Sequence, residues 1–300
     1  MNTHESEQTK FPLREDMTAA IRAKRNTFRF SRDVLINYET EGCGQVPVVF
    51  LHGFAASLVT WDDIRKRFPG DIFRLYLLDL KGFGFSSKPR DCKYGIPDQS
   101  DIVIAFIKSH ALSGVILVGH SFGGAVALQT ALKSGQNSGT FINRLILLDC
   151  PAYPQRMPPM MRILRRPILA ALLIRLFPAR LIVWCTLARI FSNRKAVTAE
   201  RIGRYTDCFT RRGMAYVLIR TVGQIDTSGS PYSMDYRKIK IPTLIIWGSK
   251  DRITGSWQAH RLGMEIEGSR LAILNNCGHN PHEEYPGETI SAILDFIGMK

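Results

Sequence analysis

An α/β protein with a mainly parallel sheet is the fold class that this 300-residue sequence predicts, and three observations predict it. Short continuous apolar runs recur along the chain, of the kind a strand buried on both faces requires. Segments of helical period lie between them, as crossovers between parallel strands must. A stretch from 151 to 235 without strand-like runs interrupts the alternation, which makes it a helical insertion ahead of the last two strands.

The elements follow in order. Residues 1–25 are a polar N-terminal extension in which Met17–Arg25 has the pattern of a short basic helix. No apolar segment of signal-peptide type occurs there. Asn26–Glu41 reads as two short strands around the Ser31-Arg32-Asp33 turn. Buried strands are expected at Val46–Leu51, Leu75–Leu80, Val115–Val118, Leu145–Leu148, Thr243–Trp247 and Arg270–Leu274. Helices are expected at Trp61–Phe68, Pro97–His110, Gly123–Lys133 and Gln258–Ile266, and in the insertion at Ile163–Leu176 and Leu181–Phe191. The chain therefore divides into an extension (1–25), a first core part (26–150), a helical lid (151–235) and a second core part (236–300).

Composition excludes other classes. Hydrophobic residues make up 45% and charged residues 22%, an ordinary globular balance that rules out disordered and collagen-like chains. The uncharged stretch Ala111–Leu132 is long enough to span a bilayer, but glycines break its centre. The six cysteines are scattered without a CxxC pair, which fits free thiols in a reducing, cytoplasmic setting. Net charge is +14, from 40 Lys and Arg against 26 Asp and Glu. Residues 151–220 hold fourteen basic and two acidic residues, so most of that excess sits in the insertion. Nucleic acid is not expected as a partner, because no helix-turn-helix, RNA-binding or zinc motif accompanies the charge.

The chemistry concentrates in Gly119-His120-Ser121-Phe122-Gly123-Gly124, a G-x-S-x-G word between a strand and a helix. Gly119 and Gly123 supply the small residues that a sharp turn through Ser121 needs. A serine nucleophile requires a base and an orienting acid. His279 follows the last strand, on the sheet edge where Ser121 also emerges, and Asp251 lies between the two in sequence. Asp149, ending the Leu145–Leu148 strand, is the alternative acid. A metal site built on His279, His282, Glu283 and Glu284 is opposed by Pro281, which spoils a helical ligand face. No metal or cofactor is expected. Phe122 N–H, directly after the nucleophile, and Phe54 N–H, in the loop after Val46–Leu51, are the expected oxyanion donors. Gly53 lets that loop approach closely, and His52 is assigned a buried structural hydrogen bond.

These words together resemble the α/β-hydrolase fold of the lid-bearing type, which includes carboxylesterases, lipases, carbon–carbon bond hydrolases and epoxide hydrolases. The resemblance covers about 26–150 and 236–300. It rests on His52-Gly53, on Asp79-Leu80-Lys81-Gly82-Phe83-Gly84-Phe85-Ser86, on the Ser121 turn, on Trp247-Gly248-Ser249-Lys250-Asp251 and on Gly278 to Pro286. Where relatives usually carry Pro this chain has Lys81, and where they often carry His it has Phe83. The resemblance implies a Ser-His-Asp triad and disfavours epoxide hydrolases and haloalkane dehalogenases, which use Asp at the turn. It points to a serine hydrolase acting on an apolar carboxylic ester. Carbon–carbon cleavage, acyl transfer and a non-enzymatic ligand receptor remain open alternatives. Apolar lid residues such as Leu164, Leu169, Leu173, Trp184 and Phe191 are expected mostly to pack on the core, the remainder lining an acyl site. The interspersed arginines leave two readings, a solvated basic face or a peripheral contact with anionic membrane.

Overall fold

Adjacent residues of the central strands point into different cores. Val48, Phe50, Ile116, Val118, Ile146 and Leu148 pack on one face of the sheet, whereas Val49, Leu51, Leu117, Leu145 and Leu147 pack on the other. That is why these runs are apolar throughout: a parallel strand between two helical layers has no wet face. The computed structural model describes residues 26–136, 141–225 and 234–299. The expected Met17–Arg25 helix lies outside the described residues.

Eight strands form one sheet in the order β1-β2-β4-β3-β5-β6-β7-β8. They are β1 (Asn26–Arg29), β2 (Leu35–Glu41), β3 (Val46–Leu51), β4 (Phe73–Leu78), β5 (Val115–His120), β6 (Ile142–Leu148), β7 (Thr243–Gly248) and β8 (Arg270–Leu274). β2 runs antiparallel to both β1 and β4, and all other pairings are parallel. Helices α2 (Ile96–Ser109), α3 (Phe122–Gln136) and α9 (Trp257–Glu265) contribute to one core. Helices α1 (Asp62–Arg65) and α10 (Pro286–Phe296) contribute to the other, around Trp61, Ile64, Ile290 and Ile293. The uncharged stretch from Ala111 is accounted for by β5 and α3, and among the described residues no single helix is long and apolar enough to cross a membrane.

Among the described residues, five α-helices lie between β6 and β7: α4 (Pro159–Leu164), α5 (Pro167–Leu176), α6 (Ala179–Ile190), α7 (Ala199–Phe209) and α8 (Met214–Ile225). The single helix expected over Ile163–Leu176 is two. Pro167 occupies the first turn of α5 and holds Arg166 at φ −106°, ψ 86°, outside the helical region. α7 is pinned to the core by Arg201, whose guanidinium pairs with Glu283 at 3.0 Å and with Asp63 of α1. Tyr205 of the same helix donates to Glu283 Oε2 at 2.7 Å. The packing of α5 and α6 differs from the sequence expectation. Leu164 and Phe191 are buried, but Ile163, Ile168, Leu169, Leu172, Leu176, Phe177, Leu181 and Trp184 are all exposed.

Candidate active site

The carboxyl ends of β5, β6, β7 and β8 carry Ser121, Asp149, Asp251 and His279 to one edge of the sheet. Ser121 has φ +49°, a left-handed conformation that few L residues adopt. The turn closes because its flanks lack side chains: a Cβ on Gly119 would lie 2.5 Å from Gly123 O, and one on Gly123 would lie 2.2 Å from Leu51 O. Ser121 N–H donates to Leu148 O at 2.9 Å and Ser121 O accepts from Ala125 N–H at 3.1 Å, so neighbouring elements hold the strained residue from both sides.

Ser121 Oγ lies 2.8 Å from His279 Nε2, and His279 Nδ1 lies 2.8 Å from Asp251 Oδ2. The carboxylate is held in turn. Its Oδ1 accepts from Ile253 N–H at 2.7 Å and Thr254 N–H at 3.2 Å, and its Oδ2 from Thr254 Oγ1 at 2.5 Å. Burial by itself would raise the Asp251 carboxyl, but His279, with hydrogen bonds from His279, Asp149 and Thr254, outweighs burial and holds it below the usual carboxylate range. It is therefore an anion that fixes the Nδ1–H tautomer of His279 and leaves Nε2 free to take a proton from Ser121.

Asp149 sits beside this pair rather than in it. It is fully buried, its Oδ1 accepts from Gly248 N–H at 3.0 Å, and its Oδ2 has no donor among the described residues. Burial, followed by the charge of Asp251 and the hydrogen bond between the two carboxyls, pushes its pKa well above the ordinary value. That shift favours the neutral acid, the form in which Asp149 Oδ2 can donate to the neighbouring Asp251 carboxylate. Asp149, Asp251 and His279 bring ligand-type atoms within 4.8 Å of one another.

The two neighbouring histidines are neutral positioning groups. His52 Nε2 accepts from Leu80 N–H at 3.0 Å, so its Nδ1–H donates to Gly53 O at 2.8 Å. Burial lowers its pKa. His120 Nε2–H donates to the His279 carbonyl at 2.8 Å, and burial drives its pKa down to about 3. His282, Glu283 and Glu284 do not gather around His279 as ligands: the His282 ring packs between Trp61 and His120, and the two glutamates are engaged elsewhere. A Cβ on Gly53 would lie 3.4 Å from Ser121 Cβ, so the β3 loop abuts the serine. Among the described residues neither Phe54 N–H nor Phe122 N–H has a protein acceptor, which leaves both available to an oxyanion.

Sequence reasoning left out the residues that seat the His279 loop. His279 N–H donates to Ile190 O, the last residue of α6, at 2.9 Å. Glu284 bridges the same junction: Oε1 accepts from Gly278 N–H at 3.0 Å, and Oε2 accepts from Ser192 and Asn193 N–H at 2.8 Å each. Glu284 stands in a word already singled out, yet its partners are backbone amides 91 and 92 residues away, which no local pattern reveals. Glu284→Gln places an NH2 against amides that need acceptors. The expected result is a loss of about 2 kcal/mol in stability by denaturant titration and roughly a tenfold fall in kcat. Unchanged stability would remove Glu284 from this role.

The chain belongs to the alpha/beta hydrolase family, whose model matches residues 48–292. It is similar to the uncharacterized hydrolase YugF of Bacillus subtilis (strain 168), 28% identical over 273 residues that cover 90% of this chain and 97% of that one. It is also 27% identical over 287 residues to a 2-hydroxy-6-oxo-2,4-heptadienoate hydrolase of Pseudomonas putida, covering 88% and 93%. Among solved structures, a thermophilic esterase from Thermogutta terrifontis superposes with a TM-score of 0.74 at 23% identity, covering 91% of this chain and 97% of that one. The fold is therefore the α/β-hydrolase fold that the sequence predicts.

Proposed function

We propose that the protein is a serine hydrolase that cleaves an apolar carboxylic ester through an acyl-enzyme. The observation that carries this reading is the continuous chain Ser121 Oγ–His279 Nε2 and His279 Nδ1–Asp251 Oδ2, each link 2.8 Å long. His279 takes the Ser121 proton as Oγ attacks the ester carbonyl, and Asp251 stabilises the imidazolium that forms. Phe54 and Phe122 N–H groups hold the oxyanion of the tetrahedral intermediate. His279 then protonates the departing alcohol, and water repeats the sequence to free the acid. Apart from the ester and water, every group in these steps belongs to this chain. The apolar preference is supported by Phe54, a half-buried ring beside the buried Phe83 at a centroid distance of 6.0 Å, on the loop that carries one of the proposed oxyanion donors.

Hydrolysis of p-nitrophenyl esters from acetate to palmitate tests the proposal. Turnover is expected, with an acyl-chain optimum beyond acetate, and mass spectrometry after fluorophosphonate treatment should place the adduct on Ser121. Silence across the series together with an unlabelled Ser121 overturns it. Carbon–carbon cleavage is a second reading, supported by the identity along most of the chain to the Pseudomonas putida enzyme. Turnover of a 2-hydroxy-6-oxo-dienoate without ester turnover would select it.

A further inference from the structure

Helix α5 packs one narrow face on the core, through Ala170 with Leu173 and Ile174 half-buried beside it, and leaves the rest of its largely apolar surface open. Of its ten residues, PILAALLIRL, only Ala170 is buried, while Ile168 is 89%, Leu172 51% and Leu176 65% exposed. A helix that is hydrophobic all round belongs in a core or in lipid. The exposed set continues past the bend into α6 through Phe177, Leu181 and Trp184, each 45–49% exposed. From Leu172 these residues follow at intervals of four, one, four and three, so they recur on successive turns either side of the break.

Charge runs with the apolar surface. No Asp or Glu occurs between Asp149 and Glu200. Arg162, Arg166, Arg175, Arg180 and Arg189 are exposed, and none of them pairs with an acid among the described residues. Elsewhere arginines do pair, for example Arg65 with Glu39 and Arg270 with Asp295. An apolar surface rimmed by unneutralised guanidinium groups matches an acyl layer beneath anionic headgroups. Neither helix alone is long enough to cross a bilayer, and the pair is bent by 110°, which favours lying in the interface: α5 and α6 have ten and twelve residues. Even the longer covers only about 18 Å of a hydrocarbon layer about 30 Å thick.

We infer that α5 and α6 form a docking surface for an anionic lipid bilayer, lying in its interface with Leu172, Leu176, Phe177 and Trp184 inserted and the arginines at headgroup level. The surface is joined to the candidate site, because the end of α6 holds the His279 loop through Ile190 O and Glu284. Docking thus brings the site to the membrane, where apolar esters reside. The inference rests on the surface and is tested apart from catalysis.

The full chain is mixed with vesicles of phosphatidylcholine alone, or of equal parts phosphatidylcholine and phosphatidylglycerol, and sedimented at low and high salt. Binding is expected to the anionic vesicles and to weaken with salt. Arg175→Gln with Arg180→Gln should weaken it by roughly thirtyfold. Ile168→Gln, Leu172→Gln and Leu176→Gln together should abolish it while leaving hydrolysis of a soluble short ester unchanged. Trp61 and Trp247 are fully buried, so in a Trp257→Phe background a blue shift of emission on binding reports Trp184. Ser121→Ala should bind as wild type does, which separates failure of this inference from failure of the catalytic reading. Absence of binding, binding indifferent to lipid charge, or a concentration-dependent dimer dissociated by the same glutamines would each overturn the proposal.

Discussion

Ser121→Ala is expected to lower kcat by about 10⁴- to 10⁶-fold while leaving the fold intact. The size follows from the chemistry: without Oγ no acyl-enzyme forms, and what remains is substrate binding and the two free amides near the turn. The fold survives because the hydrogen bonds of residue 121 to Leu148 O and from Ala125 N–H are made by its backbone. Alanine keeps the Cβ and hence the strain of φ +49°. Ser121→Gly should therefore be equally inactive yet more stable than Ser121→Ala, by about 1 kcal/mol in thermal or denaturant unfolding. Burst kinetics and unfolding curves on the same pair of variants separate the nucleophile from the strain. Residual activity within tenfold of wild type in either variant would reject Ser121 as nucleophile.

The placement of Ser121, Asp251 and His279 at one sheet edge was legible because each sits in a local word at a strand end, and parallel topology brings such ends together. Strand positions were legible for a related reason: a run such as Val46–Leu51 must be apolar at every residue to fill two cores at once. Helix breaks were partly legible. The stretch Ile163–Leu176 keeps its periodicity across Pro167, and only the proline's effect on Arg166 ends one helix and starts the next. What periodicity hid entirely was coverage. A residue such as Ile168 looks like core, and whether anything packs on it depends on the path of α5 over the molecule. The same limit applied to Glu284, and to Thr254, whose hydroxyl also reaches Asp149 O at 3.1 Å across 105 residues of sequence.

Asp251→Asn is expected to cost about 10³- to 10⁴-fold in kcat, whereas Asp149→Asn should cost less than about tenfold. The asymmetry comes from protonation. Asp251 is an ion that holds the tautomer of His279; the Ile253 and Thr254 N–H groups would keep an asparagine's oxygen at the Oδ1 position, so its NH2 would face His279 Nδ1 and the acceptor would be lost. Asp149 is shifted toward the neutral acid, which can donate to Asp251, and an asparagine NH2 can replace that donation. Asp149→Leu, which offers no donor, should be worse than Asp149→Asn. The pH dependence of stability carries the same signature. A carboxyl whose folded pKa is raised contributes stability that is complete below its unfolded pKa, about 4, and is lost as pH rises toward the folded value. Wild type therefore gives up stability from Asp149 as pH climbs from about 4 toward its raised folded pKa, and Asp149→Asn removes that loss. The difference in Tm, variant minus wild type, should grow more favourable to the variant with rising pH. Asp251 has the opposite sign: its depressed pKa adds stability above the unfolded value that disappears in acid, so Asp251→Asn should be least harmful to Tm at low pH. A flat difference for Asp149→Asn across that range would mean that Asp149 is ionised, and the two aspartates would then repel rather than share a proton.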